Sequence, residues 1–377
     1  MKKDNFTVTP WDVKGDIDYD KMIKKFGLTP LTNLPEVFMK NLLFRRNKIF
    51  AHRDFERITQ AYLNKKPFVM MTGLMPSGNF HIGHMILAKQ MIFYQGLGAK
   101  IYIAVADIEA YNARGQSLEE GRKIAIEEYI TNYIALGLKP KNCEIYFQSN
   151  RSQNPAKANA YYRLQNLLAR HATFNEFKAV YGEISPGKMV SSLLQASDML
   201  HAQLPEFEGR AVPVVVPVGI DQDPHLRLAR DISKRFKSYK FVQLSSTYHL
   251  FVPGLSGGKM SSSDPSSYIA LTDDPKTVKK KVNKYAFSGG QPTLEEHRHL
   301  GGNPDIDVSY QWLTFLEEDD EKLKTIYEDY KSGKMLSGEL KAILIEKLNN
   351  FLQEHQKKRQ SAKARLDEFI SIKEPYN

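Results

Sequence analysis

From Phe68 onward, short apolar runs alternate with segments of helical period. Residues 68–71 read as a strand and 85–94 as a helix. Strand 101–106, helical pattern 119–136, strand 144–148, a long helical stretch through 161–170 and the run 212–218 follow. Strands alternating with helices predict a mostly parallel sheet covered on both faces, an α/β doubly wound fold. Pro213 and Pro217 fit poorly inside a central strand, so within the last run only 214–216 is assigned.

The flanks differ. Residues 1–66 are polar and mixed, punctuated by Pro10, Pro30 and Pro35, with a helix expected over 53–64; they read as an N-terminal extension. From about residue 276 the alternation stops. Leu340, Ile343, Leu344, Leu348, Phe351 and Leu352 recur at helical spacing after Ser337, the expected N-cap. The expected organisation is therefore an extension (1–66), an α/β domain (67–275) and an all-α C-terminal domain (276–377).

Composition narrows the class. A chain of 377 residues suits two domains plus an added segment, and 42% hydrophobic with 25% charged residues excludes disordered and collagen-like chains. No apolar run approaches the roughly 20 residues that span a bilayer, and the start lacks a hydrophobic signal core, so a cytoplasmic protein is expected. Cys143 stands alone, which rules out an internal disulfide framework and a cysteine-rich metal site; a small buried thiol is expected. Lys plus Arg total 53 against 43 Asp plus Glu, and the net +10 favours a polyanionic partner. Lys279, Lys280, Lys281 and Lys284, with Lys357, Lys358, Arg359, Lys363 and Arg365, suit either a solvated helix face or RNA.

Two motifs carry candidate chemistry. The loop Thr72-Gly73-Leu74-Met75-Pro76-Ser77-Gly78-Asn79-Phe80 leads from a strand into His81-Ile82-Gly83-His84 at a helix start. There free N–H groups favour phosphate, two imidazoles can bond triphosphate oxygens, and Gly83 admits a flat base; helix capping would also account for the histidines. Far along the chain, Gly257-Gly258-Lys259-Met260-Ser261-Ser262-Ser263 offers a cation and three hydroxyls on a mobile loop, suited to a departing pyrophosphate. Either motif alone is weak. Both in this order on one sheet pattern point to nucleotide chemistry.

At these residues the chain resembles the class I aminoacyl-tRNA synthetases, whose signatures HIGH and KMSKS stand here as His81–His84 and Lys259–Ser263. Within the class it resembles the tryptophan enzymes of archaeal and eukaryotic type. The stretches Thr9-Pro10-Trp11-Asp12-Val13, Gly219-Ile220-Asp221-Gln222-Asp223-Pro224, Ala286-Phe287-Ser288-Gly289-Gly290 and Glu295-Glu296-His297-Arg298 with Gly301-Gly302-Asn303 support this, so the likeness runs from about residue 9 nearly to the end. The resemblance implies a Rossmann-like domain of the HUP type and a helical anticodon-binding domain. It implies tryptophan and ATP with Mg²⁺ giving tryptophanyl-adenylate and pyrophosphate, then transfer to the terminal ribose of tRNA(Trp), in a homodimer, with no metal held by the chain. His81 and His84 would serve the phosphates, and Lys259 with Ser261, Ser262 and Ser263 the leaving group. Pro76, Ser77, Gly78, Gly83, Gly219, Asp221 and Met260 would complete the ATP site, although Asp221 would equally suit a helix N-cap. Ser263 replaces the second lysine of the class motif.

By the same resemblance Glu109, Gln195 and Gln222 would hold the substrate ammonium, beside Met71 and Gly73. The eukaryotic branch reads the indole N–H with a Tyr and a Gln, and here Met71 and Ala104 hold those places. Gln195-Ala196-Ser197-Asp198-Met199-Leu200 is similar to the bacterial tryptophan enzymes, which makes Asp198 the candidate indole acceptor; a helix cap or core hydrogen bond is its other reading. Tyrosine enzymes also carry an Asp there, but their phenol partner is replaced by Met71, which favours tryptophan. A small-molecule nucleotidyltransferase and a non-catalytic RNA-binding protein on a synthetase fold are the alternatives.

Overall fold

In the computed structural model, residues 7–8, 13–14, 18–262 and 264–370 are described. β1 (Thr7–Val8) and β2 (Val13–Lys14) pair antiparallel. Seven strands form one sheet: β3 (Thr29–Pro30), β4 (Ile49–Arg53), β5 (Val69–Leu74), β6 (Lys100–Val105), β7 (Cys143–Phe147), β8 (Val214–Gly219) and β9 (Ser245–His249). Their order is β3-β4-β9-β8-β5-β6-β7, with β5 to β9 parallel and β3 and β4 antiparallel at the edge. The chain builds outward from β5 through β6 to β7, then crosses to β8 and β9 on the other side. The order therefore reverses between β5 and β8, and such a switch point binds ligands beyond the strands' carboxyl ends.

The expected doubly wound α/β sheet is present, with β9 as a strand the apolar pattern did not announce and with two further differences. Residues 29–53 of the N-terminal segment extend the sheet, and β8 runs on through Pro217 to Gly219 instead of ending at residue 216. Pro213 O accepts from Val69 N, so by alternation Pro217 also faces β5; yet the β5–β8 ladder ends at Met70↔Val215. The missing proline N–H therefore costs no ladder bond, and the two strands separate where the switch-point crevice opens.

Alternation along the strands creates two apolar layers. Met70, Ile101, Ile103, Val105, Phe147 and Val215 face the helix Ile82–Gly96, whose Ile82, Met85, Ile86, Met91 and Tyr94 are buried, together with the C-terminal helices. Val69, Met71, Tyr102, Ala104, Tyr146 and Val214 face the helices Pro155–Leu168, Pro186–Leu200 and Asp223–Arg235.

After Pro275–Tyr285, capped by Asp274 with proline at its first position, the rest of the described chain is helical and irregular. The helix Ser337–Lys363 buries Leu340, Leu344, Leu348, Leu352 and His355 in one stripe. Ser337 does not cap it: its hydroxyl pairs with Tyr330, while Glu339 reaches back to Leu336 N. Trp312, fully buried, donates its indole N–H to Pro253 O at 2.8 Å, fastening the helical region to the loop after β9.

Candidate active site

Both motifs sit at the switch point. His81 caps the helix Ile82–Gly96, and its Nδ1 accepts from Gly83 N at 3.1 Å. His84 Nδ1 accepts from His81 N at 3.2 Å, and the two rings stack with centroids 3.8 Å apart. Desolvation lowers His81 to about 4 and His84 well below the ordinary histidine value, His81 adding to the effect on His84. Both rings are thus neutral at pH 7. With each Nδ1 accepting a backbone proton, the ring proton of each lies on Nε2, as a donor available to phosphate oxygens. Capping and phosphate binding use different nitrogens of the same rings, so the two readings of these histidines are compatible.

The second loop reaches the first. Ser262 Oγ is 3.5 Å from His81 Nε2, and a Cβ on Gly78 would meet Ser262 Cβ at 3.2 Å. Lys259 Nζ pairs with Asp221 Oδ2 at 2.9 Å, 4.9 Å above the Phe251 ring centroid. Gly219 is required at the end of β8, because a Cβ there would approach Phe251 Cε1 to 2.6 Å and Asp221 Oδ1 to 2.7 Å. The space beside Gly83 is filled by the His81 ring and Met260 Sδ. Ser263 lies outside the described residues, as do most of Thr9-Pro10-Trp11-Asp12-Val13. Among the described residues no group of three His, Cys, Asp or Glu could hold a metal ion.

On the other face of the sheet, Gln195 Nε2 donates to Glu109 Oε2 at 2.7 Å, while the buried Gln195 Oε1 has no partner among the described residues. Burial pushes Glu109 up to about 7. A carboxylate and an orphaned amide oxygen side by side form an acceptor pair matched to an ammonium. Gln222 is not joined to them; it stands across the switch point at the start of the helix Asp223–Arg235. Asp198 is 3% exposed, accepting from Tyr146 OH (2.6 Å) and Tyr161 OH (2.5 Å) on Oδ1 and from Gln148 Nε2 (2.8 Å) on Oδ2. Burial raises it to about 6 despite these donors. Cross-strand register sets Gly73, Ala104 and Tyr146 side by side, with Met71 buried nearby on the same face.

The sequence profile of tRNA synthetases class I (W and Y) matches residues 63–353. The tryptophan–tRNA ligase of Methanocaldococcus jannaschii is 45% identical, with 94% of this chain and 96% of that protein covered; that of Aeropyrum pernix is also 45% identical, covering 94% and 95%. The crystal structure of tryptophanyl-tRNA synthetase from the hyperthermophilic archaeon Aeropyrum pernix K1 superposes with a TM-score of 0.88 at 44% identity, covering 94% of this chain and 96% of that one. The Plasmodium falciparum enzyme gives 0.81 at 34% identity, covering 92% of each. The chain belongs to the tryptophan–tRNA ligase family.

As a tryptophan–tRNA ligase it is an aminoacyl-tRNA ligase, and neither the nucleotidyltransferase nor the non-catalytic reading stands. Sequence reasoning missed the side chains that hold this ligase's Asp198. Tyr146 in β7 and Gln148 just after its end, two apart, point to one face by strand alternation, which would have found them; Tyr161 carries no such signal. It also missed Asp107, whose carboxylate binds Ser149 N and Oγ and closes the ends of β6 and β7 together.

Proposed function

We propose that this tryptophan–tRNA ligase activates tryptophan in the crevice between β5 and β8. The observation that carries the proposal is the contact of Ser262 with His81, which closes two distant motifs over one site. ATP enters as its magnesium complex, its phosphates against the Nε2–H groups of His81 and His84 and the loop Pro76, Ser77 and Gly78. Adenine approaches Gly83 as Met260 withdraws. The triphosphate draws Lys259 from Asp221, which is then free to accept from the ribose, next to Gly219. A tryptophan carboxylate oxygen attacks the α-phosphorus, the bond to the β-phosphate oxygen breaks, and pyrophosphate leaves against Lys259 and the hydroxyls of Ser261, Ser262 and Ser263. Catalysis is positioning and charge stabilisation by preorganised donors. A hydroxyl of the terminal ribose of tRNA(Trp) then attacks the acyl carbonyl and releases AMP.

Glu109 and Gln195 Oε1 take the substrate ammonium, and Gln222 faces it from across the switch point. A carboxylate offers about four acceptor sites, of which Asp198 has three filled. The remaining site, on Oδ2, takes the indole N–H, with Met71 and Gly73 against the ring. The net charge of +10 and the basic C-terminal helices favour tRNA, and the exposed Tyr111, Leu167, Phe174 and Val190 suit the interface of a homodimer. No helix among the described residues is long and apolar enough to cross a membrane, and we place the enzyme in the cytoplasm. Charging of tRNA(Trp) with labelled tryptophan tests this reading: wild-type protein should form tryptophanyl-tRNA and Lys259→Ala should not. Charging with tyrosine instead would overturn it.

A further inference from the structure

The helix spanning residues 118–136 contains a π turn, Ala125–Ile130, which Thr131 accommodates by donating to Ile126 O. Such turns often mark functional positions in helices. Here the turn presents Glu128 and Tyr129 to the phosphate loop. Glu128 Oε2 accepts from Phe80 N at 3.3 Å, one residue before His81, and Tyr129 OH donates to Ser77 O at 2.8 Å. Tyr129 also packs edge-on against Phe80 and lies against His84.

The other oxygen of the same carboxylate faces the C-terminal helix. Glu128 Oε1 accepts from Arg359 Nη2 at 3.0 Å, and that nitrogen also donates to Glu127 O at 2.7 Å. One helical turn earlier His355 Nε2 meets Asn132 Oδ1 at 2.7 Å, and Gln356 Nε2 donates to Leu271 O and Asp273 O. Leu271 N in turn bonds Phe80 O at 3.0 Å. Phe80 is therefore held at both backbone groups by residues that the helix Ser337–Lys363 itself holds.

We propose that Arg359 and Glu128 are positioning residues for tryptophan activation, the C-terminal helix setting the phosphate loop through the chain Arg359–Glu128–Phe80 N–His81. Neither residue touches substrate. Arg359 fixes the carboxylate rotamer, the carboxylate fixes the Phe80 amide, and that amide sets where the His81 ring begins. The inference rests on the reading that residues 76–84 bind ATP. A misplacement of 1 Å can cost about 10²-fold in rate, so a partial loosening is expected to cost about 10-fold.

The test measures tryptophan-dependent ATP–pyrophosphate exchange and the thermal midpoint on the full chain. Arg359→Gln and Glu128→Gln should each lower kcat about 10-fold with the tryptophan KM unchanged, while Arg359→Lys keeps kcat within about threefold of wild type. In the exchanged pair Glu128→Arg with Arg359→Glu the ion pair is restored but Phe80 N loses its acceptor. The midpoint should recover and kcat should not. Recovery of kcat in the exchanged pair would reduce the contact to an anchor between domains and overturn the proposal, as would a kcat within twofold of wild type in both single variants. If the exchanged pair fails to fold, the contrast of Arg359→Lys with Arg359→Gln decides: equal kcat values refute the chain. His84→Ala measured alongside separates the readings, since full exchange activity there would fault the ATP site itself.

Discussion

Lys259 Nζ stands 2.9 Å from Asp221 Oδ2, joining the glycine-rich loop to the end of β8. Two groups expected to serve different parts of ATP are here occupied with each other, so nucleotide binding must separate them. Lys259→Ala should lower the rate of pyrophosphate exchange by about 10² or more with little change in the tryptophan KM, because the lost cation acts on the leaving group. Asp221→Asn should free the loop, seen as faster limited proteolysis around residues 257–263 and a raised KM for ATP.

The histidine pair makes a prediction about pH. Both rings are held neutral by burial, His81 with a value of about 4. These two rings should therefore add no step to the kcat/KM for ATP between about pH 5.5 and 8, where an ordinary histidine near 6.5 would add one. His84→Ala should reduce exchange by about 10²-fold with the thermal midpoint largely kept. A step near pH 6.5 that disappears in His84→Ala would show that the rings act as cations.

Glu109 titrates in the working range. Its value is raised by burial from 4.5 to about 7 despite the hydrogen bond from Gln195, so the unliganded protein loses stability from this group as pH rises from about 4.5 through 7, and a bound ammonium would relieve the charged carboxylate further. The kcat/KM for tryptophan should rise with pH and level off above about 7. Tryptophan should also raise the melting temperature more at pH 8 than at pH 6, and Glu109→Gln should remove both effects.

Asp198 separates recognition from support. Asp198→Asn keeps the side-chain volume but removes the charge that three donors address and that the proposed indole contact needs, and hydrogen bonds to charged groups contribute about 1.5–3 kcal/mol. The tryptophan KM should rise about 10- to 100-fold, the ATP KM should stay within about threefold, and Tyr161→Phe should have a milder effect of the same kind. Equal rises for both substrates would assign Asp198 to packing alone.

Much of this was legible in the residues. Apolar runs at 68–71 and 101–106 mark β5 and β6 because buried parallel strands are apolar on both faces. β9, written Ser-Ser-Thr-Tyr-His, went unread: its polar residues are largely buried, and several are satisfied within the fold, as where Ser245 Oγ bonds Asp54 O and Tyr248 OH bonds Asp223. β3 and β4 are short strands, β3 at the sheet edge and β4 between it and β9, tied in by tertiary contacts such as Arg53 with Asp223, which no local pattern announces. The two motifs stood out in the sequence because glycine, histidine and lysine fall there at spacings that suit a nucleotide, and the structure brings Ser262 of one to His81 of the other. Around Asp198, Tyr146 and Gln148 carried an alternation signal that went unused, while Tyr161 carried none, since its helix meets that strand end only through the fold.

The most direct test of a single triphosphate site shared by the two motifs is ATP–pyrophosphate exchange measured with each of the twenty amino acids on wild-type, His84→Ala and Lys259→Ala proteins. Exchange should require tryptophan and fall at least about 10²-fold in both variants. Exchange driven equally by tyrosine, or undiminished when either motif is disabled, would contradict it.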